Sequence, residues 1–322
     1  MDIKVIIRKL KSHLIADSTR DVLTHYRMIF DKYAFMDGQC ELYEQFEASI
    51  TRLYHTIEKG LAYENYRPGF GRSNIDELVN TLEQYERKGF DTSAFFYETA
   101  LSCLKEYIKK NNEWGYYDEP LTERVAGLKG KANDFGGTIT VSKPDNNTIL
   151  SYKELMNARH SIRHFSNVPV DMDKIKAAIS LAQCTPSACN RQAWKTWIIN
   201  DKEKIEKILA NQNGNRGFGH EFDKLLLITA DLRMQQKSRE VFQAFIDGGM
   251  YAESVLNSLY YYGVGSVPLS ASLTLKQESI IRSTVGLDKA EVMILFIGVG
   301  NYPDGTFLTA RSERRPSEAV EL

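Results

Sequence analysis

Two guanidiniums and a hydroxyl stand close together in Arg159-His160-Ser161-Ile162-Arg163-His164-Phe165, just beyond a segment with helical spacing. Such a set can form charge-assisted hydrogen bonds to a phosphate, because each guanidinium fork matches a pair of oxygens. The same residues also fit a solvated arginine pair at a helix C-terminus, where cations complement the open carbonyls. His160 and His164 lie four apart, a metal-ligand spacing if the segment is helical. The stretch from Arg163 to Pro169 reads as extended, however, and no carboxylate or cysteine cluster stands beside it, so no metal is expected. A second stretch is Thr185-Pro186-Ser187-Ala188-Cys189-Asn190-Arg191-Gln192-Ala193-Trp194. The amides of Asn190 and Gln192 both donate and accept hydrogen bonds, and the small Pro186, Ser187 and Ala188 allow close approach of a ligand. Cys189 has no adjacent histidine or other partner and reads as a small packing residue, Trp194 as core.

Three further stretches carry polar or turn chemistry. Gly263 to Ala271 follows a long apolar helix and reads as a turn whose glycines permit close backbone approach, with Pro268, Ser270 and Ala271 as candidate ligand contacts. Gly214-Asn215-Arg216-Gly217 offers an amide and a guanidinium, and a basic tail runs from Arg311 through Arg314 to Pro316. In the N-terminal half, His55, Glu58, Lys59 and Gly60 precede Arg67-Pro68-Gly69-Phe70-Gly71, which is either a functional cluster including Arg67 or a solvated helix end followed by a turn.

The chain has 322 residues, enough for two folding units, with 43% hydrophobic and 26% charged residues, as in an ordinary globular protein. Forty-one basic residues against 42 acidic ones leave a net charge of -1, so there is no field to hold nucleic acid. The longest apolar runs, 225–230 and 292–299, are far short of the roughly 20 residues that span a bilayer and read as buried strands. Lys4, Arg8, Lys9 and Lys11 interrupt the N-terminus, which does not fit a signal peptide; its helical spacing suits packing on the body of the protein rather than a membrane surface. Four scattered cysteines without CxxC pairs fit a reducing cytoplasm.

Residues 1–111 show helical periodicity broken near 17–18, 36–38 and 67–71, so an all-helical region is expected. Residues 112–150, with Gly115, Gly127, Gly130, Gly136 and Gly137, read as a Gly-rich connection without regular structure. From residue 151 the pattern is mixed: a capping box at Ser151 and Glu154, a helix from Asp171, strands at 197–199, 225–228 and 292–299, and a long helix over 238–262. The domain that follows this connection therefore spans 151–322, and the fold class is α+β.

The arginine-rich strap, the 185–194 segment, the 263–271 segment and the basic tail, in this order, resemble the flavin-dependent nitroreductase family over about residues 151–322. The resemblance implies a mainly antiparallel sheet flanked by helices that binds FMN as a homodimer with sites shared across the interface. It implies that Arg159, Ser161, Arg163 and Arg314, with Arg311, hold the phosphate and ribityl end, and that His160 supports the flavin through its backbone. Pro186, Ser187, Ala188, Asn190, Gln192, Arg216, Pro268, Ser270 and Ala271 would line the ring. NADH or NADPH would donate electrons transiently, since no G-x-G-x-x-G follows a strand, and a small conjugated acceptor such as a nitroaromatic or quinone would take them in a ping-pong cycle. The flavin supplies the chemistry, and no protein acid or base is assigned. Two other readings stay open: a specialised flavin dehydrogenase or dehalogenase acting on a biosynthetic intermediate, and a non-catalytic flavin-binding or interaction protein in a polysaccharide pathway. Little sequence separates the strand at 225–230 from the following helix, so the N-terminal helices or the Gly-rich connection are expected to roof the pocket.

Overall fold

A computed structural model describes residues 23–24, 40–144, 151–234 and 240–321; the expected N-terminal helix over residues 3–14 and the breaks near 17–18 and 36–38 lie outside them. The elements are α1 (Tyr43–Leu61), α2 (Arg72–Arg87), α3 (Phe95–Glu113), α4 (Glu119–Ala126), β1 (Thr138–Ser142), α5 (Tyr152–Ala158), α6 (Met172–Ala182), β2 (Trp194–Ile199), α7 (Lys202–Leu209), β3 (Lys224–Asp231), α8 (Gln243–Tyr261), β4 (Gly265–Ser270), α9 (Leu275–Val285), β5 (Glu291–Gly300) and β6 (Thr306–Ala310). The described residues fall into two compact units, 23–24 with those of 142–305 in one and 40–141 with 306–321 in the other. No helix among them is long and apolar enough to cross a membrane.

The second of these units is built on α1, α2 and α3. Phe46, Ile50, Leu53, Ile57 and Leu61 repeat at helical spacing along α1 and are buried with Leu78, Leu82 and Tyr85 of α2 and Tyr97, Leu104 and Tyr107 of α3. The break at 67–71 is a packed turn. A Cβ on Gly60 would lie 2.0 Å from the Phe70 ring, so only glycine lets this ring close over α1. Asn111 holds the turn by accepting hydrogen bonds from the Tyr66 hydroxyl (2.9 Å) and the Gly69 N–H (2.8 Å). Arg67 is exposed.

The Gly-rich stretch is more ordered than its composition suggests. Asp118 caps α4 by accepting the Leu121 N–H, Pro120 sits in the first turn where no N–H is needed, and Leu121 and Val125 are buried. Thr138 donates from both its N–H and hydroxyl to Glu106, which starts β1, and β1 pairs with β6. Glycine content signals turns but is silent on the caps and partners between them.

In the other unit, β2, β3, β5 and β4 form an antiparallel sheet in that order, flanked by helices, as an α+β reading requires. Seven of the eight β3 residues are buried, which accounts for its near-continuous apolar run. The Ser151–Glu154 capping box starts α5 and Asp171 caps α6, both where the sequence places them. The long helix begins at Gln243; Tyr251, Val255 and Leu259 are buried against the sheet core. Trp194 is buried and stacks on Tyr251 with 4.8 Å between ring centroids. Gly263 to Ala271 is not a turn: six of its residues form β4, an edge strand whose Pro268 faces outward where no ladder N–H is required.

Glu291 is a buried carboxylate that accepts hydrogen bonds from the Thr229 hydroxyl (2.8 Å), the Trp197 indole (3.0 Å) and Lys195 (3.1 Å). Burial alone would raise its pKa, yet these three donors outweigh burial and hold it below the ordinary glutamate value. A depressed folded-state pKa means stability that is present above the unfolded-state value and disappears as pH falls through the folded one. Glu291→Gln should therefore cost about 1–3 kcal/mol at pH 7 and give a shallower acid limb of stability against pH, measured by urea titration; equal acid limbs would refute the coupling.

Candidate functional site

The arginine-rich strap begins where α5 ends, with Arg159 at the C-cap. Its backbone is extended, because Ile162 N–H donates to Ser266 O of β4 (2.9 Å) and Ser166 bridges Asn301 beyond β5. The strap is thereby tied to the sheet at both ends, and the i,i+4 metal geometry of His160 and His164 does not arise. Arg159, His160, Ser161 and Arg163 are all half-buried. Arg159 Nη1 is a buried donor with no hydrogen-bond acceptor among the described residues, a costly arrangement unless a ligand completes it. Burial pushes the Tyr302 phenol far up and the nearby Tyr260 adds to this, while the Arg159 charge acts in the opposite sense; a positive charge thus sits beside an apolar, aromatic wall. The Arg163 guanidinium lies 5.8 Å from the centre of the Phe218 ring.

A carboxylate does stand beside the strap, contrary to the sequence expectation. Glu221 Oε2 lies 2.9 Å from His164 Nδ1 and accepts the Phe165 N–H at 2.8 Å. One oxygen therefore fixes both the backbone after Arg163 and the ring of His164. Glu221 is more than fifty positions away in the chain, so no local pattern could have revealed it.

The 185–192 loop is held by side chains on all sides. Thr185 hydroxyl donates to Ala182 O (2.8 Å), and Ala188 N–H reaches both carboxylate oxygens of the buried Asp247 at 3.3 Å. Ser187 Oγ accepts the Gln192 N–H at 2.9 Å. Arg191 donates to Ala188 O and to Glu240 (2.8 Å), and the Glu240 hydrogen bond raises its pKa further. Within this clamp Cys189, Asn190 and Gln192 have φ of 53°, 54° and 51°, left-handed values that side chains disfavour. Strain of this kind persists only where the surroundings impose it, and it concentrates at ligand sites. Cys189 is exposed, not packed, because the left-handed turn carries its side chain outward. The amides of Asn190 and Gln192 are also exposed and bond to each other (Gln192 Nε2 to Asn190 Oδ1, 3.0 Å).

Of the remaining expected contacts, Pro268 and Ser270 alternate outward along β4, Ala271 follows the strand and is half-buried, Pro186 is exposed, and Arg216 is exposed. Asn215 is engaged elsewhere: its amide donates to Leu209 O and Gln212 O, closing the end of α7. Arg311 and Arg314 lie in the helical unit, after β6. Asp247, Glu221 and Ser266 are the positioning groups that local sequence reading missed.

Residues 156–215 match the model of the Nitroreductase family, a segment holding both the strap and the 185–192 loop. Spy0809 of Streptococcus pyogenes serotype M6, by name an NAD(P)H nitroreductase, is 23% identical over 192 residues, which cover 54% of this chain and 96% of that protein. Two solved structures align with similar extent. The FMN-dependent nitroreductase of Clostridium difficile R20291 is 19% identical with a TM-score of 0.42, covering 47% of this chain and 87% of that one. A nitroreductase family protein of Streptococcus pneumoniae TIGR4 is 18% identical with a TM-score of 0.41, covering 53% and 96%.

Relief of the loop strain gives a test. Cys189→Gly removes a left-handed side chain that makes no hydrogen bond among the described residues, so thermal unfolding should show stability unchanged or raised by up to about 1 kcal/mol. A clear fall in stability would show that the Cys189 side chain supports the loop.

Proposed function

We propose that this chain, whose 156–215 segment carries the nitroreductase family pattern, is an FMN-dependent oxidoreductase that uses NADH or NADPH to reduce a small conjugated acceptor of nitroaromatic or quinone type by two electrons. The observation that carries this reading is the buried, acceptor-less Arg159 Nη1 within that segment, a donor that a phosphate oxygen would satisfy. The residues present fit FMN. Arg159, Ser161 and Arg163 form an extended strap able to take the phosphate and ribityl oxygens, with His160 contributing its backbone. The small residues Pro186, Ser187 and Ala188 leave room for a planar ring, and the exposed amides of Asn190 and Gln192 are available to its polar edge. Pro268, Ser270, Ala271 and Arg216 complete the proposed contacts, while Arg311 and Arg314 are assigned on the family resemblance alone.

When bound, FMN supplies the hydride chemistry, accepting two electrons from the nicotinamide and passing them to the acceptor in a ping-pong exchange. The chain's own part is to hold and orient. Glu221 locks the strap through Phe165 and His164, and Asp247 locks the loop through Ala188, so that donors are fixed before any ligand arrives. No side chain is assigned as acid or base.

A homodimer belongs to the same reading. On the side of α8 turned away from the sheet core, Phe245 (47% exposed), Ile246 (54%) and Met250 (42%) form an apolar stripe of a kind that marks interaction surfaces. All four cysteines are free thiols, which suits the proposed reducing cytoplasm.

The purified protein should be yellow, or become so with added FMN, and anaerobic NADH or NADPH should bleach the flavin bands; a protein that fails to take up FMN refutes the reading. Arg159→Met should weaken FMN binding about ten- to a hundredfold, the loss expected for a charged hydrogen bond of about 1.5–3 kcal/mol. Glu221→Leu should weaken it as well while Glu221→Gln, which keeps an acceptor oxygen, retains most of it; equal loss in both would assign the effect to charge rather than to positioning.

A further inference from the structure

Between α3 and α4 the helical unit holds a hollow of about 620 Å³, a size in the range of small-molecule sites, that the flavin reading leaves unused. Its walls are mostly apolar: Ile108 comes from α3, and Val125, Ala126 and Thr122 come from α4. The hollow stays open because α4 makes its polar contacts on the other side. Arg124 donates to Glu83 (2.8 Å) and Asn80 (2.7 Å) of α2, and Asp118, the cap of α4, pairs with Arg72 at the start of α2. No hydrogen bond or ion pair joins α4 to α3 among the described residues, so nothing polar closes the side of α4 that faces α3.

Lys105 and Lys109 stand one turn apart on the α3 wall of this hollow. Both are exposed, and neither has a hydrogen bond or ion pair among the described residues. Their neighbours on the helix are committed elsewhere: Glu106 accepts from the N–H and hydroxyl of Thr138, and Lys110 donates to Leu61 O at 2.6 Å. Lysine stems extend an apolar surface while their heads hold charge at its edge, so two of them over an apolar floor suit an amphipathic anion. Glu113 lines the opposite end, roughly 12 Å of helix rise from Lys105. An acid head is thus attracted at one end and repelled at the other, which allows a single orientation.

We propose that the α3–α4 hollow is a binding site for a medium-chain fatty carboxylate, with the acid on Lys105 and Lys109 and the chain against Ile108, Val125 and Ala126. Charge complementarity selects this occupant. An alkyl ammonium would meet two like charges, and the chain's own N-terminal stretch, with Lys4, Arg8, Lys9 and Lys11, carries the same wrong sign. The inference does not depend on the flavin reading.

Full-length protein labelled at isoleucine, valine and alanine methyls reports on the floor of the hollow by NMR. Octanoate should shift the Ile108, Val125 and Ala126 signals saturably, with a dissociation constant of about 1 mM or tighter. Butanoate, which keeps the acid but loses four methylenes, and octylamine, which keeps the chain but reverses the charge, should each bind at least about tenfold more weakly. Lys105→Met combined with Lys109→Met keeps the apolar stems, removes the charges and should weaken octanoate by about tenfold or more. Ala126→Trp, at an exposed position on the rim, should block binding, and Glu113→Gln should leave octanoate affinity equal or raised. No saturable shift up to about 10 mM octanoate, equal binding of butanoate or octylamine, indifference to the lysine pair or to Ala126→Trp, or a loss in Glu113→Gln overturns the proposal. Methyl shifts that grow with protein concentration alone also overturn it, because a second copy of the chain would then be the occupant.

Discussion

The pairing of β3 with β5 is the constraint on which the sheet unit depends. Both strands are largely buried, and a slip of one residue would turn every side chain to the wrong face, so the register Leu226↔Ile297 and Lys224↔Val299 is strongly specified. Gly298 shows how tight the fit is: a Cβ there would lie 2.3 Å from the Phe222 ring. That register sets β4 on the outer side of β5, and β4 in turn presents Ser266 O to Ile162. The arginine strap is positioned through this chain of backbone hydrogen bonds, so its donors inherit the rigidity of the core.

Rigid support lets the 185–192 loop hold a conformation it would not adopt alone. Three residues with side chains in left-handed geometry carry a local cost of order 1–2 kcal/mol each, less for Asn190. The clamps that offset it, from Asp247, Ser187, Arg191 and Glu240, lie around the loop and leave the Asn190 and Gln192 amides facing outward. A loop built this way has its conformation fixed in advance, which in the proposed role limits the ordering cost of association. The helical unit follows a different logic, with three amphipathic helices closing a core of its own and the short β1–β6 pair holding the tail, so that His55, Glu58 and Ser312 meet although they are far apart in the chain.

Much of this was legible in the residues. Helical periodicity gave the helical region and its break at 67–71, though not the break between α2 and α3, capping chemistry located the starts of α5 and α6, and apolar runs located β3 and β5, because these signals depend on neighbours a few positions away. The strap and the 185–194 segment stood out as candidate ligand-binding material for the same reason: guanidiniums, amides and small residues close in sequence have a chemistry independent of the fold. Tertiary structure alone decided the rest. Whether Gly263–Ala271 was turn or strand depended on a partner strand, and the order within 112–142 depended on Asp118, Glu106 and β6. The outward turn of Cys189, the pairing of Glu221 with His164, the engagement of Asn215 by α7 and the open oxygen of buried Glu58 each require two segments distant in the chain to meet. Periodicity and local motifs carry no term for such meetings, since they are fixed by packing and by where a buried polar group finds a partner.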